Sequence, residues 1–175
     1  AVVERNVQLF GSSVRTAATV KGDFSAVGGR VVVDQSLANE ALLLGGTVDV
    51  RAPVGDDVRA AGGDISLESP VGGDVMAAGG NVKLTNAAQV AGSAELAGGD
   101  VLVDGRVDGS LNVRARRMVL NGTVGGSVQA AVELLEIGPQ ARVGGALRHT
   151  ASTVTQDPAA VVSGTLERVD SLFDN

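Results

Sequence analysis

The chain has no cysteine, no tryptophan and no tyrosine, and only three phenylalanines and one histidine. Without cysteine there is neither a disulfide framework nor a thiolate metal site. Without tryptophan and tyrosine there are no rings on which a sugar would stack. Hydrophobic residues make up 44% of the chain but aromatics only 2%, so any core is built from Val, Leu, Ala and Ile, which suits a narrow interior. A surplus of basic charge is also missing. Net charge is −6, with 7 basic and 11 acidic residues in the first 99 and 7 and 9 in the last 76. Neither half carries the footprint of a nucleic-acid binder. No apolar run approaches the roughly 18 residues of a membrane-spanning helix.

What is abundant is glycine, 25 of 175 residues. It lacks the three-residue period of collagen. Instead a unit Val-x-Gly-x-Val recurs: Val20-Lys21-Gly22-Asp23-Phe24, Val71-Gly72-Gly73-Asp74-Val75, Val107-Asp108-Gly109-Ser110-Leu111 and Val124-Gly125-Gly126-Ser127-Val128. Counted by its first residue, the series is Val3, Val20, Leu37, Val54, Val71, Val90, Val107, Val124, Val143, Val162, in steps of 17 or 19. A fixed period of this kind marks a solenoid rather than a globular enzyme core. The chain reads as one domain, 1–175, with about ten coils from residue 3 to 168 and a C-terminal end segment, 169–175.

Numbering each unit from its first residue as position 0, apolar side chains recur at positions 4 and 6 and again at 11 and 13. Examples are Val75 and Ala77, then Val82 and Leu84. Spacing of two is strand alternation with one face buried. Position 2 is Gly in seven units and Asn39 or Asp56 in two. These residue types tolerate positive φ, so position 2 is expected to be a corner in the left-handed conformation. Gly-Gly at positions 8 and 9, as in Gly45-Gly46, predicts a second corner between two strands. Pro53, Pro70, Pro139 and Pro158 mark the third, with Asp104-Gly105 and Asn121-Gly122 at the same place elsewhere.

The expected fold is therefore all-β, a single parallel β-helix of triangular section. Coils stacked about 4.8 Å apart make a rod roughly 45 Å long. About five inward side chains per coil each contribute on the order of 1.5–3 kcal/mol of burial before entropy. Left-handed β-helices of acyltransferase type repeat every six residues. The inward set 0, 4, 6, 11, 13 lacks that rhythm, so the expected hand is right-handed.

The Val-x-Gly-x-Leu/Val unit at this spacing, with Ile137-Gly138-Pro139-Gln140-Ala141-Arg142-Val143-Gly144-Gly145-Ala146-Leu147, resembles the bactofilin family over nearly the whole chain, best over 90–166. Bactofilins are bacterial polymer-forming cytoskeletal proteins with a right-handed β-helix core. The resemblance implies end-to-end self-assembly into filaments without nucleotide, and a scaffolding role at the membrane. The Gly-Gly doublets and the lack of proline-bearing flanking tails depart from the typical core. They look like a bactofilin-like branch of exported or membrane-anchored envelope proteins, and Ala1 stands where a mature exported chain would begin. The expected location is bacterial and membrane-associated, with the exported face favoured.

Candidate sites follow from where the repeat stops. A β-helix leaves open N–H and C=O rows on its terminal coils, a template for another chain. Val3, Val7, Leu9 and Phe10 at one end, and Leu166, Leu172 and Phe173 at the other, are the candidate self-assembly residues. The expected partner is a second copy of the chain, with association to a membrane or envelope. Neither nucleic acid nor a small-molecule substrate is expected. Asp23, Glu40, Asp57 and Asp74 share position 3 on successive coils. Stacked carboxylates repel, and either a hard cation such as calcium or simple solvation relieves them; solvation is the plainer reading. Arg114, Arg116 and Arg117 replace the Gly-Gly corner in one coil and offer a contact for an anionic lipid or an acidic partner, or else a solvated face. His149 sits at an inward position, and a lone histidine without cysteine builds neither a metal centre nor a nucleophile–base pair. No catalytic, metal or cofactor residues are expected.

The leading function class is thus a non-enzymatic structural scaffold. A monomeric stalk or adhesion module displayed from the envelope is the alternative. An acyltransferase lacks support in the period, and a polysaccharide-acting β-helix lacks it in the aromatics.

Overall fold

The computed structural model describes residues 2–16 and 18–172. All regular structure is strand, and all pairing is parallel between successive coils. Val7–Arg15, Phe24–Val33, Ala41–Val50, Val58–Leu67, Val75–Leu84, Ala94–Val103 and Leu111–Leu120 stack in that order into the main sheet. Two-residue strands such as Gln89–Val90, Arg106–Val107 and Thr123–Val124 stack into a second, narrow sheet on the remaining side. Parallel strands normally need a long crossover. Here the crossover is the rest of the coil, and the backbone bonds close over about one repeat, as in Val54 N–H to Pro70 O at 3.0 Å and Gly72 N–H to Val54 O at 2.8 Å. About ten coils form one solenoid.

Equivalent positions pair without slippage. Ala41 pairs Val58, which pairs Val75, which pairs Ala94, then Leu111 and Val128. The two extra residues of the longer units fall at the third corner and leave this register untouched. A one-residue slip would turn every inward side chain outward, and the uninterrupted ladders of Val, Leu and Ile forbid it. The core contains Leu37, Leu43, Leu67, Leu84, Leu120 and Ile137, all at 2% exposure or less. Phe24 is its one aromatic, stacked between Val7 and Ala41. Among the described residues no buried side-chain nitrogen or oxygen lacks a partner.

Three features differ from the sequence reading. The Gly-Gly corner does not separate two strands in the first coils: each ten-residue strand runs through it. The register passes over the second glycine, Gly28 pairing Gly45 and Arg30 pairing Thr47, which is where the coil bends. The strand divides only later, into Val128–Ala131 and Leu134–Ile137, where Val132-Glu133 replaces the doublet. Position 8 also faces inward, since Val132 and Ala151 there are 4% and 1% exposed. A further small inward residue precedes several units by two, as Ala52, Ser69, Ala88 and Ala141. The interior is wider by these two small positions than the five-position expectation.

The third difference concerns position 2. Among the described residues no glycine has φ in the left-handed region. At the position-2 glycines the coil before leaves little room for a side chain. A Cβ on Gly22 would lie 2.5 Å from the backbone of Arg5 and Asn6, and one on Gly109 would lie 2.6 Å from Ser93 Oγ and 2.7 Å from Gly92 O. The doublets obey the same rule, because a Cβ on Gly45 would lie 2.7 Å from Gly28 O. Glycine is selected here by close approach rather than by backbone handedness.

Candidate assembly surfaces

The position-2 glycines make room for a bond. Asn6 Oδ1 accepts the Asp23 N–H at 2.8 Å, Asp57 Oδ1 the Asp74 N–H at 2.7 Å, Asp74 Oδ1 the Ser93 N–H at 2.8 Å, and Ser93 Oγ the Ser110 N–H at 3.1 Å. Each donating N–H follows a glycine. At Asn39 and Asp56, where the glycine is missing, a side chain occupies that space. Two of the four carboxylates of the acidic ladder are therefore held by backbone N–H groups of the next coil, which offsets their mutual repulsion. Among the described residues no three His, Cys, Asp or Glu side chains are grouped to hold a metal ion.

At the N-terminal end, Val7–Arg15 pairs only with Phe24–Val33, so its other edge is open. Val3, Val7 and Leu9 form the exposed ring of the interior. They are half-buried, whereas Val20, Phe24 and Ala26, one coil further in, are 3%, 2% and 1% exposed. Phe10 belongs to the same coil but not to that ring. It lies at outward position 7 and is 76% exposed.

At the other end, among the described residues, Leu166–Arg168 pairs only with Leu147–His149, and Thr153–Gln156 only with Leu134–Ile137. Leu166 is 42% exposed against 0% for Leu147 one coil inward, and Leu172 is half-buried. Phe173 lies outside the described residues. The inward ladder turns polar here, with Gln156 at position 13 and Arg168 at position 6. His149 lies against Arg168 in the position-6 ladder and is buried. Its Nδ1 accepts the Ala151 N–H at 3.1 Å, while Arg168 Nε donates to Ala151 O at 3.1 Å. Burial first, and the neighbouring Arg168 charge second, hold the imidazole pKa below its ordinary 6.5. The ring is thus a neutral acceptor.

The outer faces divide by chemistry. The side carrying positions 9 to 14 is laced with ion pairs: Arg15–Asp34 at 2.9 Å, Arg30 and Arg51 on Asp49, Arg116–Asp100 at 3.2 Å and Arg117–Glu136 at 2.9 Å. The arginine cluster is thus engaged with acids of adjoining coils rather than pooled into a basic patch. Arg114 lies apart from it, at position 7. The side carrying positions 5 and 7 is different. Phe10, Val27, Leu44, Ala61, Ala78 and Ala97 stack at position 7 in one outward ladder that ends at Arg114. Leu42 and Met76 flank it, and five of the nine exposed large hydrophobic residues lie on this face. Sequence reasoning missed it by following only inward positions; six consecutive apolar residues at position 7 were the available signal.

No protein-family model, curated protein or solved structure matches this chain. Among the described residues no helix is long and apolar enough to cross a membrane.

Proposed function

We propose that this chain is a non-enzymatic structural scaffold of bactofilin type, a rod that joins copies of itself end to end into nucleotide-independent filaments at a bacterial membrane or envelope. The observation that supports this reading most is the pair of open ends. Among the described residues, unpaired strand edges border a half-buried apolar ring at Val3, Val7 and Leu9 at one end and the exposed Leu166 at the other. An open parallel ladder is a template for one more coil, and stacking a second rod there satisfies backbone groups and apolar surface together. The envelope location rests on the Gly-Gly doublets of the resemblance.

A second reading, a monomeric rod displayed from the envelope, draws on the polar residues at the C-terminal inward positions, Gln156 and Arg168, which close the ladder there. Negative-stain microscopy with light scattering separates the two. The scaffold reading expects strings of end-joined rods that shorten to single rods in V7K and L166R. Single rods in the unaltered chain at all concentrations sink it.

A further inference from the structure

The outward ladder at position 7 steps from large side chains to alanine along the rod. Phe10, Val27 and Leu44 occupy its first three coils, and Ala61, Ala78 and Ala97 the next three. Beside the small end lies a shallow outer depression of about 290 Å³, lined by Met76, Ala78, Glu95, Ala97 and Arg114 among others. Knob and hollow therefore stand on one face, five coil spacings apart, which is about 24 Å at the coil rise.

A two-fold axis along the strand direction, between the coils of Leu44 and Ala61, turns this taper onto itself. It lays Phe10 of one copy over Ala97 of the other, Val27 over Ala78, and Leu44 over Ala61. The equal coil spacing makes all three matches at once. A parallel arrangement sets Phe10 on Phe10 and alanine on alanine, leaving a gap along half the contact. We propose that this face docks a second copy of the chain side by side and antiparallel, with Phe10 seated in the partner's depression at Ala97. The contact uses the outer face of the first six coils rather than the open strand edges, and it holds for an isolated rod.

The area sets its strength. Six coils by about four residues give a face of about 29 Å by 13 Å, so the pair buries on the order of 800 Å². That is below the ~1,200–2,000 Å² of a stable complex. The isolated pair is therefore weak and seen at high concentration, and repetition along joined rods strengthens it. The same axis brings Asp23 opposite the partner's Asp74 and Glu40 opposite its Asp57 along one edge. Arg59, on the same face and grouped with Asp23, Glu40 and Asp57, stands beside the partner's Glu40 and offsets that repulsion.

Two experiments test the contact. In Q8C/E95C, a bismaleimide spanning about 10 Å, the distance between packed sheets, is expected to link two chains efficiently, and either single variant poorly. End-joined rods keep these positions about 24 Å apart, so loss of filaments and loss of this crosslink are separate results. Sedimentation equilibrium then measures a swap. F10A and A97F each weaken pairing about tenfold or more, and F10A/A97F restores it to within about threefold, since both side chains point outward and the fold is spared. No crosslink in Q8C/E95C, or no rescue in the swap, overturns the proposal.

Discussion

Replacing Gly92 by alanine tests the physical reason for the repeat's central glycine. A Cβ there falls on the Asp74 carboxylate and lies 2.9 Å from Gly73 O. The carboxylate has to swing away, releasing the Ser93 N–H it accepts at 2.8 Å. That bond is charge-assisted but exposed, so its loss costs about 1 kcal/mol. The contact with Gly73 O remains and strains the backbone by a similar amount, while the stiffer unfolded chain returns about 0.5 kcal/mol. The expected net loss is about 1.5–2 kcal/mol. D74A alone loses the bond and costs about 1 kcal/mol. In D74A/G92A the bond is absent from both sides of the comparison, so the two changes couple by about 1 kcal/mol rather than add. G92N discriminates the rival explanation, because Asn tolerates the left-handed region yet carries a Cβ. It is expected to cost at least as much as alanine. With no Trp or Tyr in the chain, urea unfolding is followed by far-ultraviolet circular dichroism. A G92N variant within about 0.5 kcal/mol of the parent, or a coupling below about 0.3 kcal/mol, refutes the close-approach argument.

Three further outcomes are expected. L120A empties a fully buried site and should cost about 2–5 kcal/mol in the same assay, whereas V154A, 37% exposed, costs under about 1 kcal/mol. The lowered His149 pKa means that the unfolded chain takes up a proton before the folded one as pH falls below 6.5. This contribution is complete above 6.5 and is lost as pH falls through the folded value. H149L should flatten that part of the stability–pH curve, and an unchanged slope refutes the assignment. Millimolar calcium should leave the melting temperature within about 1 °C, because Asp57 and Asp74 are already held by backbone N–H groups; a clear rise would restore the cation reading of the acidic ladder.

Much of the architecture was legible because a solenoid writes its fold as a period. Alternation at positions 4 and 6, and at 11 and 13, is local, and it announced strands with one buried face. The prolines and the extra residues of the longer units marked the third corner correctly. Position 8 was obscured because glycine shows no polarity; only Val132 and Ala151, inward in the last coils, reveal its direction. The end residues Val3, Val7 and Leu9 could be named as the last members of their ladders. That Phe10 leaves that ring and stands on the outer face follows from strand alternation, since it comes one residue after inward position 6.

The sequence by itself determined the coil, its repeat length, the strand register and the identity of the core ladders, because each follows from which residues recur at which spacing. Only the tertiary structure decided what the glycines are for and which outer surface is apolar. Both depend on distances between residues 17 or 19 apart in the chain. A glycine chosen for its φ and one chosen for lack of room are the same letter. Only the preceding coil, with Asp74 beneath Gly92 and Asn6 beneath Gly22, distinguishes them.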